Sequence, residues 1–197
     1  DDYWIDENKL QCQVEWLDVH PEYSITFTRA EILYEDGAKE GQEKDLPFLE
    51  EGEYSVSDIC SSFIVLSSST VIRNCIQPVH YCNQLLYADT YTFIELCKRG
   101  KAYCLGIPTT MYRIHKKNIS GNGDWDFYVH AYNQSKYFSK IYPELRSIYK
   151  YSFENILIHL LHDKKRSLFY RIEWMMLHPR LFFSRFMLAT IKTYFLK

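Results

Sequence analysis

The sequence predicts an α/β fold followed by an all-helical C-terminal extension. The polar and apolar patterns indicate the order helix, strand, helix, strand, helix and two strands. From about residue 124 onward the pattern is helical, with breaks at Pro143 and Pro179. A hydrophobic fraction of 47% and a charged fraction of 24% are typical of a folded chain, not of a disordered one. No apolar run is long enough to predict a membrane span.

The first predicted helix lies near residues 7–19. Asp6 is a suitable N-cap residue, because its carboxylate can accept from the first free backbone N–H groups. Leu10, Val14 and Leu17 follow at helical spacing. This spacing predicts that the three side chains form the buried stripe of the helix.

The middle of the chain alternates between strand and helix signals. Partial alternation in "YSITFTRAEILYEDG" places Tyr23, Ile25 and Phe27 on one face of a strand or strand pair. Ser57 or Asp58 is a candidate cap for a short helix. The stretch "SSSTVIRN" then predicts a short strand and a polar turn.

A better marked helix and two strands complete the predicted core. Asp89 or Thr90 is the candidate N-cap, and Gly100 is the candidate stop. The predicted buried stripe of this helix comprises Phe93, Ile94, Leu96 and Cys97. "KAYCLG" and "TTMYRIH" predict two short strands separated around Gly106 and Pro108.

Charge divides the chain into two parts. Residues 1–59 hold 17 acids and 4 bases, whereas residues 120–197 hold 12 bases and 6 acids. The polar stretch "SGNGD" predicts a boundary between a domain at 1–120 and a basic, aromatic tail at 121–197. The overall balance does not resemble that of a nucleic-acid binder, so no nucleic-acid partner is expected.

The cysteines predict reduced thiols. The sequence has six of them and no C-x-x-C pair, so neither a zinc ribbon nor a redox motif is indicated. Several stand in apolar settings, which predicts core thiols of a cytosolic protein. "HLLH" at 159–162 pairs two histidines on one helix, but no further zinc ligands stand at a suitable distance.

The opening letters "DDYWID" carry the first candidate site. Adjacent carboxylates at Asp1 and Asp2 suit a hard divalent cation, since Mg²⁺ and Mn²⁺ take oxygen ligands. The alternative is that the two acids are only a solvated, charged terminus.

Longer stretches resemble bacterial family 2 glycosyltransferases of the GT-A fold. "DDYWIDENKLQCQV" is similar to the family's E-G-D-D-Y-W strand end followed by a K-L-Q-x-Q-V helix start. "SSFIVLSSSTVIRN" and "YADTYTFIELCKRGKAYCLGIPTTMYRIH" resemble its later strand, helix and Y-R-x-H ending, in the same order. The resemblance covers roughly residues 1–120. It implies a partial GT-A, Rossmann-like core.

The resemblance implies a Mn²⁺ or Mg²⁺ site on the donor diphosphate, with Asp1, Asp2 and His115 as ligands. Arg113 would bind donor phosphate oxygens. In the family, one more acid and a nucleotide-binding half precede the position of Asp1. We therefore expect this chain to be the C-terminal part of a longer enzyme and to be inactive alone.

Asp89 matches the family's catalytic acid, although Ala88 stands where Glu or Gly is common. In an inverting transfer this carboxylate would accept the proton of the acceptor hydroxyl. The alternative is that Asp89 serves only as a helix cap.

The same resemblance places acceptor-binding residues beside the acids. Tyr3 and Trp4 flank them, and Ser68 and Ser69 are expected to line the acceptor side. Core packing of the two aromatic rings is the alternative. No G-x-S-x-G elbow surrounds the serines, so a serine hydrolase is not indicated.

The tail from Lys164 holds 8 bases and one acid among large aromatic and Met side chains. This composition fits a helix lying on an anionic membrane, and a helical bundle packed on the core is the alternative. The expected function is transfer of a sugar from a nucleotide-diphosphate donor to a saccharide or lipid-linked acceptor in cell-surface polysaccharide synthesis. The expected location is the cytoplasm, and the membrane hypothesis for the tail would add peripheral contact with the inner face of the cell membrane. A non-catalytic binding or structural module is the second hypothesis.

Overall fold

The computed structural model describes most of the chain, in two compact units, Asp1–Asn122 and Gly123–Lys197. The boundary between the units lies two residues from the one predicted near 120. The described residues are 2–35, 48–61, 65–75, 88–115 and 125–149, together with the helical positions 156, 169, 173 and 176.

In the described part of the first unit, five strands form one mixed sheet in the order β1-β5-β2-β4, and β3 also pairs with β5. β2 and β5 run parallel, and the other pairs are antiparallel. The strands are β1 (Tyr3–Trp4), β2 (Tyr23–Tyr34), β3 (Gly52–Tyr54), β4 (Thr70–Ile72) and β5 (Lys101–Ile114). With its helices, this sheet confirms the predicted mixed α/β class.

In the described part of the first unit, the helices are α1 (Lys9–Val19), α2 (Val56–Ser61) and α3 (Ala88–Cys97), with a 3-10 turn at Ser67–Ser69. The second unit contains α4 (Trp125–Ile141) and a 3-10 turn at Pro143–Leu145. Pro143 therefore ends the helix where the sequence predicted a break. Among the described residues, no helix combines the length and the apolar character needed to cross a membrane.

The two faces of β2 contact different kinds of side chain. Ile25 and Phe27 are fully buried in an apolar cluster that includes Phe93 and Leu96 of α3. On the other face, Thr26 accepts hydrogen bonds from α1. The predicted apolar face is thus confirmed for Ile25 and Phe27, while Tyr23 at the strand start is only half-buried.

The predicted stripe of α1 is wrong for two of its three residues. Leu17 is buried, but the exposed fractions of Leu10 and Val14 are 46% and 44%. Lys9 and Gln13 face inward instead, with exposed fractions of 1% and 0%. Gln13 Nε2 donates to carbonyl oxygens of Thr26 and Ser69, whereas its buried Oε1 has no hydrogen-bond partner among the described residues.

The two strands predicted around Gly106 are one continuous strand, β5. Phe27 pairs with Cys104 and Arg29 with Pro108, so β5 has extra residues opposite β2 at this point. Gly106 adopts a positive φ of +68° within this bulge. A bulge interrupts the alternation of side chains, and the sequence pattern therefore looked like two separate strands.

The caps also differ from those predicted. Ser55, not Ser57 or Asp58, precedes α2: its Oγ accepts from the Asp58 backbone N–H at 3.2 Å, and Asp58 Oδ2 accepts from the Ser55 backbone N–H at 2.8 Å. α3 already includes Ala88, so Asp89 lies inside its first described turn. At α1, Asp6 Oδ1 accepts from the Asn8 backbone N–H at 2.8 Å, in the turn before the helix.

The predicted burial of the cysteines holds for only some of them. Cys104 is buried, Cys60 and Cys97 are partly buried, and Cys12 and Cys75 are exposed. Cys12, Cys75, Cys97 and Cys104 are free thiols. The prediction of core thiols is therefore wrong for Cys12 and Cys75, and Cys82 lies outside the described residues.

Candidate functional site

Two predicted site carboxylates meet at the 3-10 turn Ser67–Ser69. Ser67 Oγ donates to Asp89 Oδ2 at 2.8 Å. Ser68 Oγ donates to Asp2 Oδ2 at 3.0 Å. Asp2 precedes β1 and Asp89 lies in α3, so two adjacent hydroxyl groups hold acids that are distant in the sequence.

Trp4 also contacts this turn. Its indole Nε1–H donates to the Ser68 carbonyl oxygen at 3.0 Å, and Thr110 Oγ1 donates to the same oxygen at 3.4 Å. Trp4 and Thr110 are register partners of β1 and β5. The Trp4 side chain remains 52% exposed, and Tyr3 is exposed beside it. Both predicted aromatic residues therefore lie at the surface, and the alternative of core packing does not hold.

Hydrogen bonds from α1 and β2 hold the Ser67–Ser69 turn in place. Gln13 Nε2 donates to the carbonyl oxygens of Thr26 and Ser69, each at 3.1 Å. Thr28 Oγ1 donates to the Ser69 carbonyl at 3.3 Å and lies 2.7 Å from Thr109 Oγ1. The Ser69 side chain is buried, and its hydroxyl donates to the Leu66 carbonyl. Ser69 thus holds the turn and presents no side-chain surface to an acceptor.

The C-terminal end of β5 contacts the second carboxylate oxygen of Asp2. The Arg113 backbone N–H donates to Asp2 Oδ1 at 3.2 Å, so both oxygens of this carboxylate have a donor. The Arg113 guanidinium forms an ion pair with Glu35. A phosphate at Arg113 would have to share the guanidinium with this carboxylate.

Of the three predicted metal ligands, Asp2 and His115 lie within the described residues. His115 directly follows β5, two positions after the residue whose backbone contacts Asp2. Asp1 lies outside the described residues. Across the described ranges, no group of three or more His, Cys, Asp or Glu side chains is arranged to hold a metal ion. The ligand set Asp1, Asp2 and His115 therefore remains a prediction.

Lys9 is a site residue that sequence reasoning missed. Its side chain is buried, and Nζ has no hydrogen-bond partner among the described residues. Nζ lies 4.7 Å from the centroid of the Trp4 ring. Burial lowers the pKa of the Lys9 ammonium group. The sequence contained one indication of this, because Lys9 and Gln13 are polar residues four positions apart and therefore share one face of the helix.

Comparison with known proteins finds relatives over part of the chain. It is 31% identical over 121 residues to the uncharacterized protein Mb1547 of Mycobacterium bovis, which covers 60% of this chain and 34% of the relative. The uncharacterized protein Rv1520 of Mycobacterium tuberculosis matches with the same identity and coverage. The chain thus spans about a third of the length of the curated relatives it matches. No family model and no solved structure matches the chain.

Proposed function

We propose that this chain carries the acceptor side of an inverting, metal-dependent glycosyltransferase of the GT-A fold. The enzyme would transfer a sugar from a nucleotide-diphosphate donor to a saccharide or lipid-linked acceptor, in cell-surface polysaccharide synthesis. The observation that supports it best is the attachment of Asp2 and Asp89 to adjacent serines. An inverting transfer needs a base for the acceptor and an anionic ligand for the donor's metal, held at a fixed separation.

Asp89 is the proposed general base. One carboxylate oxygen accepts the proton of the acceptor hydroxyl while that hydroxyl oxygen attacks the anomeric carbon. The bond between the anomeric carbon and the donor diphosphate breaks, the nucleoside diphosphate leaves, and the configuration inverts. The hydrogen bond from Ser67 orients the carboxylate for this step.

Asp2 is the proposed ligand for Mn²⁺ or Mg²⁺, together with Asp1 and His115. Its two hydrogen bonds come from a neutral hydroxyl and a neutral backbone N–H. Each carboxylate oxygen keeps a free lone pair, so Asp2 fits a cation that takes one or two carboxylates plus substrate phosphates. When bound, the cation would neutralise charge on the diphosphate. Arg113 would assist at the phosphate oxygens.

Tyr3, Trp4 and Ser68 are the proposed acceptor side. The two rings are exposed, and Ser68 carries hydrogen bonds to both Asp2 and Trp4. An exposed indole beside a carboxylate offers a flat apolar face with polar groups at its edge. A sugar ring has an apolar face and hydroxyl groups that can contact both.

Replacement of Asp89 by Asn tests the proposal. Asn keeps the size of Asp and can still accept from Ser67, but it cannot take a proton. The assay uses the longer enzyme in which this chain is joined to a nucleotide-binding half. With a panel of UDP-, GDP- and dTDP-sugars, release of nucleoside diphosphate by that enzyme should fall about 10²–10⁴-fold while donor binding is kept. Glu95→Gln, in the same helix and paired with Lys98 at the surface, is the matched control and should retain turnover. Unchanged turnover in Asp89→Asn would remove Asp89 from the chemistry.

A peripheral membrane location is proposed for the tail, which would bring the enzyme to a lipid-linked acceptor. Phe169 and Met176 are helical positions with exposed side chains, and eight bases follow from residue 164. Sedimentation should show binding to vesicles with anionic lipid and much weaker binding to neutral vesicles. Negligible binding to both would leave only a packing role for the tail.

A non-catalytic binding module is the second candidate. It is favoured by the internal pairing of Arg113 with Glu35, which occupies the group that would bind phosphate. This candidate predicts saccharide binding without nucleoside diphosphate release from any donor of the panel, and equal binding by Asp89→Asn.

A further inference from the structure

The Trp4 indole is held on two sides. Its N–H group donates to the Ser68 carbonyl oxygen at 3.0 Å, which fixes the ring edge. The Lys9 ammonium group lies over the ring, 4.7 Å from its centroid. About half of the side chain, 52%, stays exposed. A ring fixed at its edge and at its inner face keeps the other face for solvent or a ligand.

The position of Lys9 is not explained by helix packing. Its exposed fraction is 1%, and its ammonium nitrogen has no hydrogen-bond acceptor among the described residues. A buried charge without a partner is unfavourable, and an apolar side chain of the same length would fit the core better. The contact that compensates this charge is the electron-rich face of Trp4, since aromatic rings attract cations at their faces.

We infer that Lys9 is a positioning residue that holds the Trp4 indole as a preformed stacking platform for a pyranose ring. The identity of the ligand class rests on the proposed function, whereas the positioning itself does not. Pyranose rings carry C–H groups on one face, and these pack on the negative face of an indole. A ring immobilised before binding loses less conformational freedom when the sugar arrives.

Fluorine NMR of the chain labelled with 5-fluorotryptophan tests the positioning. The chain has four Trp residues, and Trp4→Phe assigns one resonance to Trp4. In Lys9→Met, which keeps the length but removes the charge, the Trp4 resonance should shift and broaden. Lys9→Arg should restore it. The Trp16 resonance serves as the internal control, because that ring stacks on Tyr103 and His20.

Thermal unfolding separates positioning from a structural role. Lys9→Met should unfold at the same temperature as the wild type or higher, because it removes an unpaired buried charge. A lower unfolding temperature together with shifts of every Trp resonance would assign Lys9 to the core and overturn the inference. An unchanged Trp4 resonance in a folded Lys9→Met would also overturn it.

Saccharide binding tests the platform. Methyl β-D-glucopyranoside and methyl β-D-galactopyranoside are the probes, titrated against the Trp4 fluorine resonance. Binding should be about 3–10-fold weaker in Lys9→Met and lost in Trp4→Ala, while the surface control Lys98→Met binds as the wild type. If Lys9→Met disturbs Trp4 but neither glycoside binds the wild type, the positioning stands and the sugar platform is overturned. If only the proposed sugar transfer is absent, the Trp4 fluorine resonance and the glycoside binding should still behave as described.

Discussion

The Gln13 carboxamide of α1 lies under the Ser67–Ser69 turn and donates to the Ser69 carbonyl oxygen at 3.1 Å. The same Nε2 atom donates to the Thr26 carbonyl oxygen of β2 at 3.1 Å. One side chain therefore joins helix, sheet and turn directly beneath the serines that hold Asp2 and Asp89.

Replacement of Gln13 by Leu should destabilise the protein. The substitution removes both donations and leaves the buried Thr26 carbonyl without the Gln13 partner, so the free energy of unfolding should fall by about 1–3 kcal/mol. Urea denaturation measures it. The matched control is Gln11→Leu, because Gln11 is exposed and donates a hydrogen bond to Glu15 within the same helix; its effect should stay within about 0.5 kcal/mol. Equal effects at both positions would contradict the anchoring role.

Replacement of Gly106 by Ala should also destabilise the fold. The residue has a φ of +68°, and an added Cβ would lie 2.8 Å from the Cβ of Glu51. Backbone strain alone costs about 1–3 kcal/mol in such a conformation. Thermal unfolding of Gly106→Ala should therefore show a clear loss. In a Glu51→Gly background the side-chain clash is absent, so the added loss should be smaller; an identical loss would assign the whole effect to φ.

Acid should remove the contribution of Asp58 to stability. Hydrogen bonds from the Ser55 hydroxyl and backbone N–H lower the pKa of Asp58 below its ordinary value. A depressed pKa in the folded state means that the stabilisation is present above the unfolded value and is lost as the pH falls through the folded one. The stability difference between wild type and Asp58→Asn should therefore be constant near neutral pH and change only below about pH 4. A difference that changes between pH 6 and 8 would contradict this cause.

The thiols should differ in alkylation. Burial raises the pKa of Cys97 to about 12, and Cys104 is buried with a raised pKa. The thiolate is the reactive form, so both should resist iodoacetamide at pH 8 in the folded protein. The exposed Cys12 and Cys75 should react. Mass spectrometry after short labelling checks this, with urea-unfolded protein as the control in which all thiols react. Fast labelling of Cys97 in the folded chain would contradict its burial.

Local sequence determined which elements exist. In α3, Phe93, Ile94 and Leu96 are buried as their spacing predicted, and the helix ends three residues before Gly100. The α4 helix likewise ends before Pro143. Helical periodicity and breakers act within a few residues, so they can be read without knowing the partners. Gly100 is also required for close packing, since an added Cβ would lie 2.9 Å from the Ser24 backbone nitrogen.

Only the tertiary structure decided which face of α1 is buried and where the candidate site residues meet. The sequence marked Asp2 and Asp89 as candidates, but their common turn is formed by serines distant from both. It also favoured Leu10 and Val14 over Lys9 and Gln13 as core residues. The spacing of residues along a helix shows which side chains share a face. It does not show which groups the polar side chains on that face will contact. Those partners, the carbonyl groups of β2 and the turn and the ring of Trp4, come together only when the sheet has formed.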